Sequence, residues 1–124
     1  MAKILIAEDE LDIRELVAFT LKYAGLEVLT VKDGQEALDA AHEAMPDLII
    51  LDVRMPHLTG YEVCKVLRAD PAYNQVPIVF LSAKGQEAEI QAGLDAGANA
   101  YLLKPFSPAD LTEQIKSILA SFGK

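Results

Sequence analysis

Five short apolar runs, separated by segments of helical periodicity, constrain what this chain can fold into. They fall at residues 3 to 7 (KILIA), 26 to 31 (LEVLTV), 47 to 51 (DLIIL), 77 to 81 (PIVFL) and 99 to 103 (NAYLL). Strands that alternate with helices form a parallel sheet wrapped by helices, because every parallel connection must cross over the sheet. The run from Leu48 to Leu51 is wholly apolar, as a strand covered on both faces requires, yet it leads straight into Asp52. Asp52 must therefore sit where the chain leaves the core, at the end of an α/β sheet that gathers chemistry.

The helical segments carry their own signals. Ile13, Leu16, Val17, Thr20 and Leu21 recur at the spacing of one buried face, with Gly25 as the stop. Asp33 with Glu36, and Thr59 with Glu62, form capping-box patterns ahead of the second and third helices. The fourth segment, KGQEAEIQAGLDAGA, offers only Ile90 and Leu94 as large apolar anchors, so a comparatively mobile helix is expected. In the fifth, Ser107 caps, Pro108 takes the first helical position, and Leu111, Ile115, Ile118, Leu119 and Phe122 form one stripe. Five strands and five helices in alternation give a doubly wound α/β fold. The strand order 2-1-3-4-5 is adopted from the general rule for five-stranded sheets of this kind.

At 124 residues the length suits one domain, residues 1–124, with one sizeable core. A formal charge of −8 argues against nucleic acid or an anionic membrane as the main partner of this chain. Cys64 is the only cysteine, which excludes an internal disulfide, and the opening MAKILIAEDE lacks a long apolar run. The expected compartment is the cytoplasm.

Parallel strands all point one way, so their carboxyl ends meet. Strand 1 ends at Glu8 and Asp9, strand 3 at Asp52, strand 4 at Ser82 and strand 5 at Lys104. Taken singly, these residues read as helix caps, an acidic helix start, a loop hydroxyl and a surface charge. Their convergence at one end of the sheet outweighs those readings. Three clustered carboxylates repel, each like pair costing on the order of 4 kcal/mol at about 4 Å and an effective dielectric near 20. Lys104 offsets part of this, and a hard divalent cation such as Mg²⁺, held by carboxylate oxygens, a carbonyl and waters, fits the rest. With both in place a phosphoryl group could be held at Asp52. A dinucleotide site is disfavoured, since the loop AEDELD has no glycine and would repel a phosphate.

The segments KILIAEDE, LIILDVRMPHLTGYEV, PIVFLSAK and GANAYLLKPF, in this order, resemble the receiver domain of two-component response regulators, and the resemblance covers essentially the whole chain. It implies a flavodoxin-like receiver fold with Asp52 as phosphoacceptor and Asp9 as a direct Mg²⁺ ligand. Glu8 would act mainly through water, and the backbone carbonyl of Arg54 would be a further ligand. Ser82 matches the hydroxyl that moves to the phosphoryl group, Lys104 the lysine that pairs with it, and Tyr101 the aromatic that changes rotamer. The resemblance also implies a cis bond at Lys104-Pro105.

These roles suit the chemistry. A carboxylate nucleophile makes a reactive acyl phosphate, so the transferring group must be neutralised by metal and lysine. The phosphoryl group then adds nearly two negative charges and three acceptor oxygens, enough to draw in Ser82 and Lys104 and let Tyr101 turn in behind. The signal would be a population shift of the surface formed by helix 4, strand 5 and helix 5. His57 and Thr59 replace residues commoner in the family; Thr59 can still cap, and His57 reads as a solvated loop side chain. Arg54 and Lys84 flank the site and could tune dephosphorylation. Cys64, beside Val63 and Leu67, reads as a small core residue.

The expected partners are a sensor histidine kinase or histidine phosphotransfer protein, and a downstream protein target or an effector domain. Phosphorylation-dependent homodimerisation stays open. No effector domain follows residue 124, so the chain is expected either to act alone or to be a receiver cut from a longer protein. The expected role is a phosphoacceptor signalling domain that catalyses only its own phosphorylation and dephosphorylation. Two alternative readings remain. A phosphorylation-independent binding domain of the same fold is disfavoured by the intact Asp52, Asp9 and Lys104. A carboxylate-nucleophile phosphatase would want a second acid two residues after Asp52, where Arg54 stands, and a substrate-covering cap.

Overall fold

The structure is a computed structural model that describes residues 1–83 and 87–124. The elements run β1 (Lys3–Ala7), α1 (Leu11–Tyr23), β2 (Glu27–Val31), α2 (Gly34–Ala44), β3 (Leu48–Leu51), α3 (Gly60–Arg68), β4 (Ile78–Ser82), α4 (Glu87–Asp95), β5 (Ala100–Leu103) and α5 (Pro108–Ser121). The five strands form one parallel sheet in the order 2-1-3-4-5, as expected. A short 3₁₀ turn at Pro71–Tyr73, absent from the sequence reading, precedes β4 and buries Tyr73. No described helix is long and apolar enough to cross a membrane.

Side chains along each strand alternate between the two faces. Leu5, Ala7, Ile49, Leu51, Ile78 and Phe80 pack under α2 and α3, where Cys64 is buried among Val63 and Leu67 as expected. Ile4, Ile6, Leu48, Ile50, Val79 and Leu81 face Val17 and Leu21 of α1 and Leu111, Ile115 and Leu119 of α5. The central strands β1, β3 and β4 are apolar because both of their faces are covered. The edge strand β2 is half exposed.

The caps show how local sequence sets the helix starts. Thr59 and Glu62 complete a reciprocal capping box on α3, and Ser107 accepts the Asp110 amide behind Pro108 on α5. Asp33 caps α2 by accepting the Glu36 amide, whereas the Glu36 carboxylate takes the Lys32 amide, one residue earlier than a reciprocal box requires. Gly25 follows α1 with φ +92°, a left-handed conformation that glycine adopts without strain.

Two helix faces differ from expectation. Leu16 is 43% exposed, because the buried stripe of α1 runs through Val17, Ala18, Thr20 and Leu21 and leaves Leu16 with Phe19 and Tyr23 on the outer side. On α4, Ile90 is half-buried and Leu94 is 42% exposed, so neither is a buried anchor; the buried position is Gly93. A bare Cα there brings the helix backbone down onto the sheet, which apolar spacing does not reveal.

Candidate active site

At the carboxyl end of the sheet a cleft of about 250 Å³ is lined by Asp9, Glu10, Asp52, Arg54, Ser82 and Lys104. A larger groove of about 720 Å³ between α1 and α5 is lined mostly by apolar atoms of Leu16, Phe19, Tyr23 and Ala109. The smaller cleft holds the convergent ionisable groups and is the candidate site.

β1 and β3 deliver the carboxylates. The Glu8 amide donates to the Val31 carbonyl and the Asp52 amide to the Ala7 carbonyl, so the ladder fixes both backbones just beyond the strand ends. Carboxylate oxygens of Glu8, Asp9 and Asp52 all lie within 4.8 Å of one another. Glu8 is 2% and Asp52 7% exposed, while Asp9 is open to solvent. Burial, a hydrogen bond with Glu8 and the Glu8 charge push Asp52 up to about 7, against the opposing pull of Lys104.

Lys104 reaches in from the end of β5, where its amide donates to the Ser82 carbonyl and its peptide bond to Pro105 is cis. Its ammonium donates to Glu8 Oε1 at 2.7 Å and stands 3.7 Å from Asp52 Oδ1. Burial alone would lower the lysine pKa, but the Glu8 hydrogen bond and the charges of Asp52, Glu8 and Glu10 outweigh it and raise it. Glu8 thus pairs directly with Lys104. Its carboxylate also accepts the Glu10 amide, and its backbone carbonyl accepts from the Arg14 guanidinium at 2.9 Å. Sequence reading did not single out Arg14. Its place four residues after Glu10, on the first turn of a helix that starts at the site, was the available signal.

Ser82 is buried at the end of β4 and lines the cleft, and the Arg54 side chain lies at its exposed rim. Tyr101 lies beneath, its ring 5.9 Å from that of Phe80. His57 is outside the cleft. Its side chain is 69% exposed, 3.9 Å from an Asp33 oxygen, and its backbone is left-handed at φ 72°. Such a conformation costs a β-carbon-bearing residue about 1 kcal/mol. His57→Gly should therefore raise stability by about 0.5–1 kcal/mol in urea denaturation, offset little by loss of a solvent-exposed contact with Asp33. Lys84 lies outside the described residues.

The donor set suits a hard divalent cation: three carboxylate oxygens converge, that of Asp9 solvent-accessible, and the raised Asp52 pKa reflects crowded negative charge that a cation would offset.

Comparison with known proteins agrees with this geometry. The model of the response regulator receiver domain family matches residues 4–116. The alkaline phosphatase synthesis transcriptional regulatory protein PhoP of Bacillus subtilis is 44% identical over 117 residues, covering 94% of this chain and 48% of PhoP. The chain thus spans about half the length of the curated relatives it matches. Among solved structures, the chemotaxis response regulator CheY4 of Vibrio cholerae superposes with a TM-score of 0.90 at 41% identity, covering 95% of this chain and 98% of CheY4. The receiver domain of the sensor histidine kinase PA1611 of Pseudomonas aeruginosa, which has a magnesium ion coordinated in its active site cleft, gives 0.89 at 32% identity, covering 96% and 98%. The chain belongs to the response regulator receiver domain family of two-component systems.

Proposed function

We propose that this receiver accepts a phosphoryl group on Asp52 from a phosphohistidine protein, with Mg²⁺ at the carboxylate cluster. The observation that carries the reading is a buried aspartate at the end of β3 with two further carboxylates and a lysine ammonium around it. Asp9 and Asp52, with Glu8 and the backbone carbonyl of Arg54, would hold the cation, which when bound neutralises charge on the transferring group.

Asp52 enters the reaction as the carboxylate. One of its oxygens attacks phosphorus, the phosphorus–nitrogen bond to the donor imidazole breaks, and the departing nitrogen takes up a proton. The product is an aspartyl phosphate, a mixed anhydride. Lys104 starts from its bond to Glu8 and need move its ammonium only a short way to pair with the new phosphoryl oxygens. Ser82 supplies a hydroxyl to the same group, and its move favours the place that Tyr101 holds against Phe80. The surface formed by α4, β5 and α5 then shifts in population and is read by a downstream protein, an effector domain or a second copy of the chain.

Intact-mass measurement after incubation with Mg²⁺ and a small acyl-phosphate donor tests the reading. One added phosphoryl group is expected, with none in Asp52→Asn and none without the metal. A folded protein that gains no mass from either that donor or a phosphohistidine donor overturns it in favour of a phosphorylation-independent binding domain. Turnover of an external phosphoester would instead favour a phosphatase.

A further inference from the structure

The inner end of Tyr101 is held by residues that lie outside the phosphorylation site. Tyr101 stands beside Phe80 in the register of β5 and β4, and its ring packs against that of Phe80. The far edge of Phe80 meets the Tyr61 ring at 5.2 Å in an edge-on contact. Tyr61, the second residue of α3, donates its hydroxyl to the Glu89 carbonyl of α4 at 3.0 Å, and its phenol lies close enough to that of Tyr101 to interact with it. Three secondary-structure elements therefore meet at two phenol hydroxyls.

Gly93 closes the other side. A Cβ built there would lie 2.8 Å from Cδ2 and 3.0 Å from Cε2 of Tyr101, and 3.0 Å from Cδ2 of Phe80. The shortest of these is closer than carbon atoms tolerate, and the other two are tight enough that a ring must give way. No positive φ demands glycine at this helical position, so the bare Cα serves the approach of the ring. Tyr101 can occupy its present place only because α4 presents no side chain there.

We infer that Tyr61 and Gly93 form the seat that fixes the inward rotamer of Tyr101, and so act as positioning residues that set how readily the receiver is phosphorylated. The link to phosphorylation rests on the function proposed above; the seat itself does not. Phosphoryl transfer that proceeds from the conformer with Tyr101 seated runs at a rate proportional to that conformer's population. Emptying the seat must then slow phosphorylation although neither residue touches the cleft.

The test uses the full chain carrying 3-fluorotyrosine, with the Tyr101 fluorine resonance assigned by Tyr101→Phe. In the parent, that resonance should resist a soluble paramagnetic quencher. Gly93→Ala pushes a methyl group into the ring, and Tyr61→Phe removes only a hydroxyl. Both should fold, since alanine suits a helix and phenylalanine keeps the contact with Phe80. Quenching of Tyr101 is expected to rise at least threefold in each, and the rate of mass gain from the acyl-phosphate donor to fall severalfold in Gly93→Ala. An unmoved Tyr101 resonance in both folded variants overturns the seat. A moved resonance with an unchanged phosphorylation rate overturns its coupling to the site. Should the parent itself take no phosphoryl group, the proposed function and the coupling fail together, while the fluorine comparison still decides the seat.

Discussion

Asp52→Asn is expected to stabilise the metal-free protein by about 2–4 kcal/mol at pH 8, even as it abolishes phosphorylation. Burial and the Glu8 hydrogen bond lift Asp52 from an ordinary 3.8 to about 7 in the folded chain. Between roughly pH 4 and 7 the folded state thus keeps a proton that the unfolded chain has already released. By linkage, the stability associated with this group is fully present below the unfolded pKa and is lost as pH rises through 7. Asparagine keeps the shape without the charge, so its advantage should be small near pH 4 and grow until about pH 8. Urea denaturation at several pH values in chelator checks this. A constant difference between the two proteins across that range would show that Asp52 is not perturbed in this way.

Gly60→Ala should have the opposite effect and a comparable size. Gly60 opens α3 directly beneath the site, and a Cβ there would fall 2.2 Å from the Asp52 carbonyl oxygen and 2.9 Å from Cε1 of Phe80. The nearer obstacle is backbone held by the β-ladder, so it cannot swing aside as a side-chain tip would. Overpacking of this kind costs about 3 kcal/mol, and relaxation would displace the peptide that carries the Asp52 side chain. The expected result is a lower denaturation midpoint together with a slower gain of phosphoryl mass. A midpoint within about 0.5 kcal/mol of the parent would mean that α3 can retreat from β3 without loss. Glycine thus stands at two helix approaches, Gly60 beneath Asp52 and Gly93 against Tyr101, for reasons of space.

Much of this was legible before any coordinates. The apolar runs located all five strands to within a residue or so, since a strand buried on both faces leaves a mark that depends on composition alone. The caps Thr59 and Ser107 were equally plain, because each bonds to amides three residues away. The polar strand ends pointed to one place because parallel strands share a direction, and the cleft does gather Asp9, Asp52, Ser82 and Lys104.

Tertiary structure decided the rest. That Lys104 bonds Glu8 in preference to Asp52 depends on where a carboxylate one methylene longer ends up across 96 residues of chain. That Leu16 faces outward while Gly93 is buried follows from the angle at which each helix meets the sheet, which apolar spacing fixes only to within about a quarter turn. The Asp52 pKa is likewise a property of assembled surroundings. Sequence alone determined which groups are present and at which end of the sheet they emerge. Only the packed fold determined their separations, and charge coupling and close contact vary too steeply with distance to be read from order along a chain.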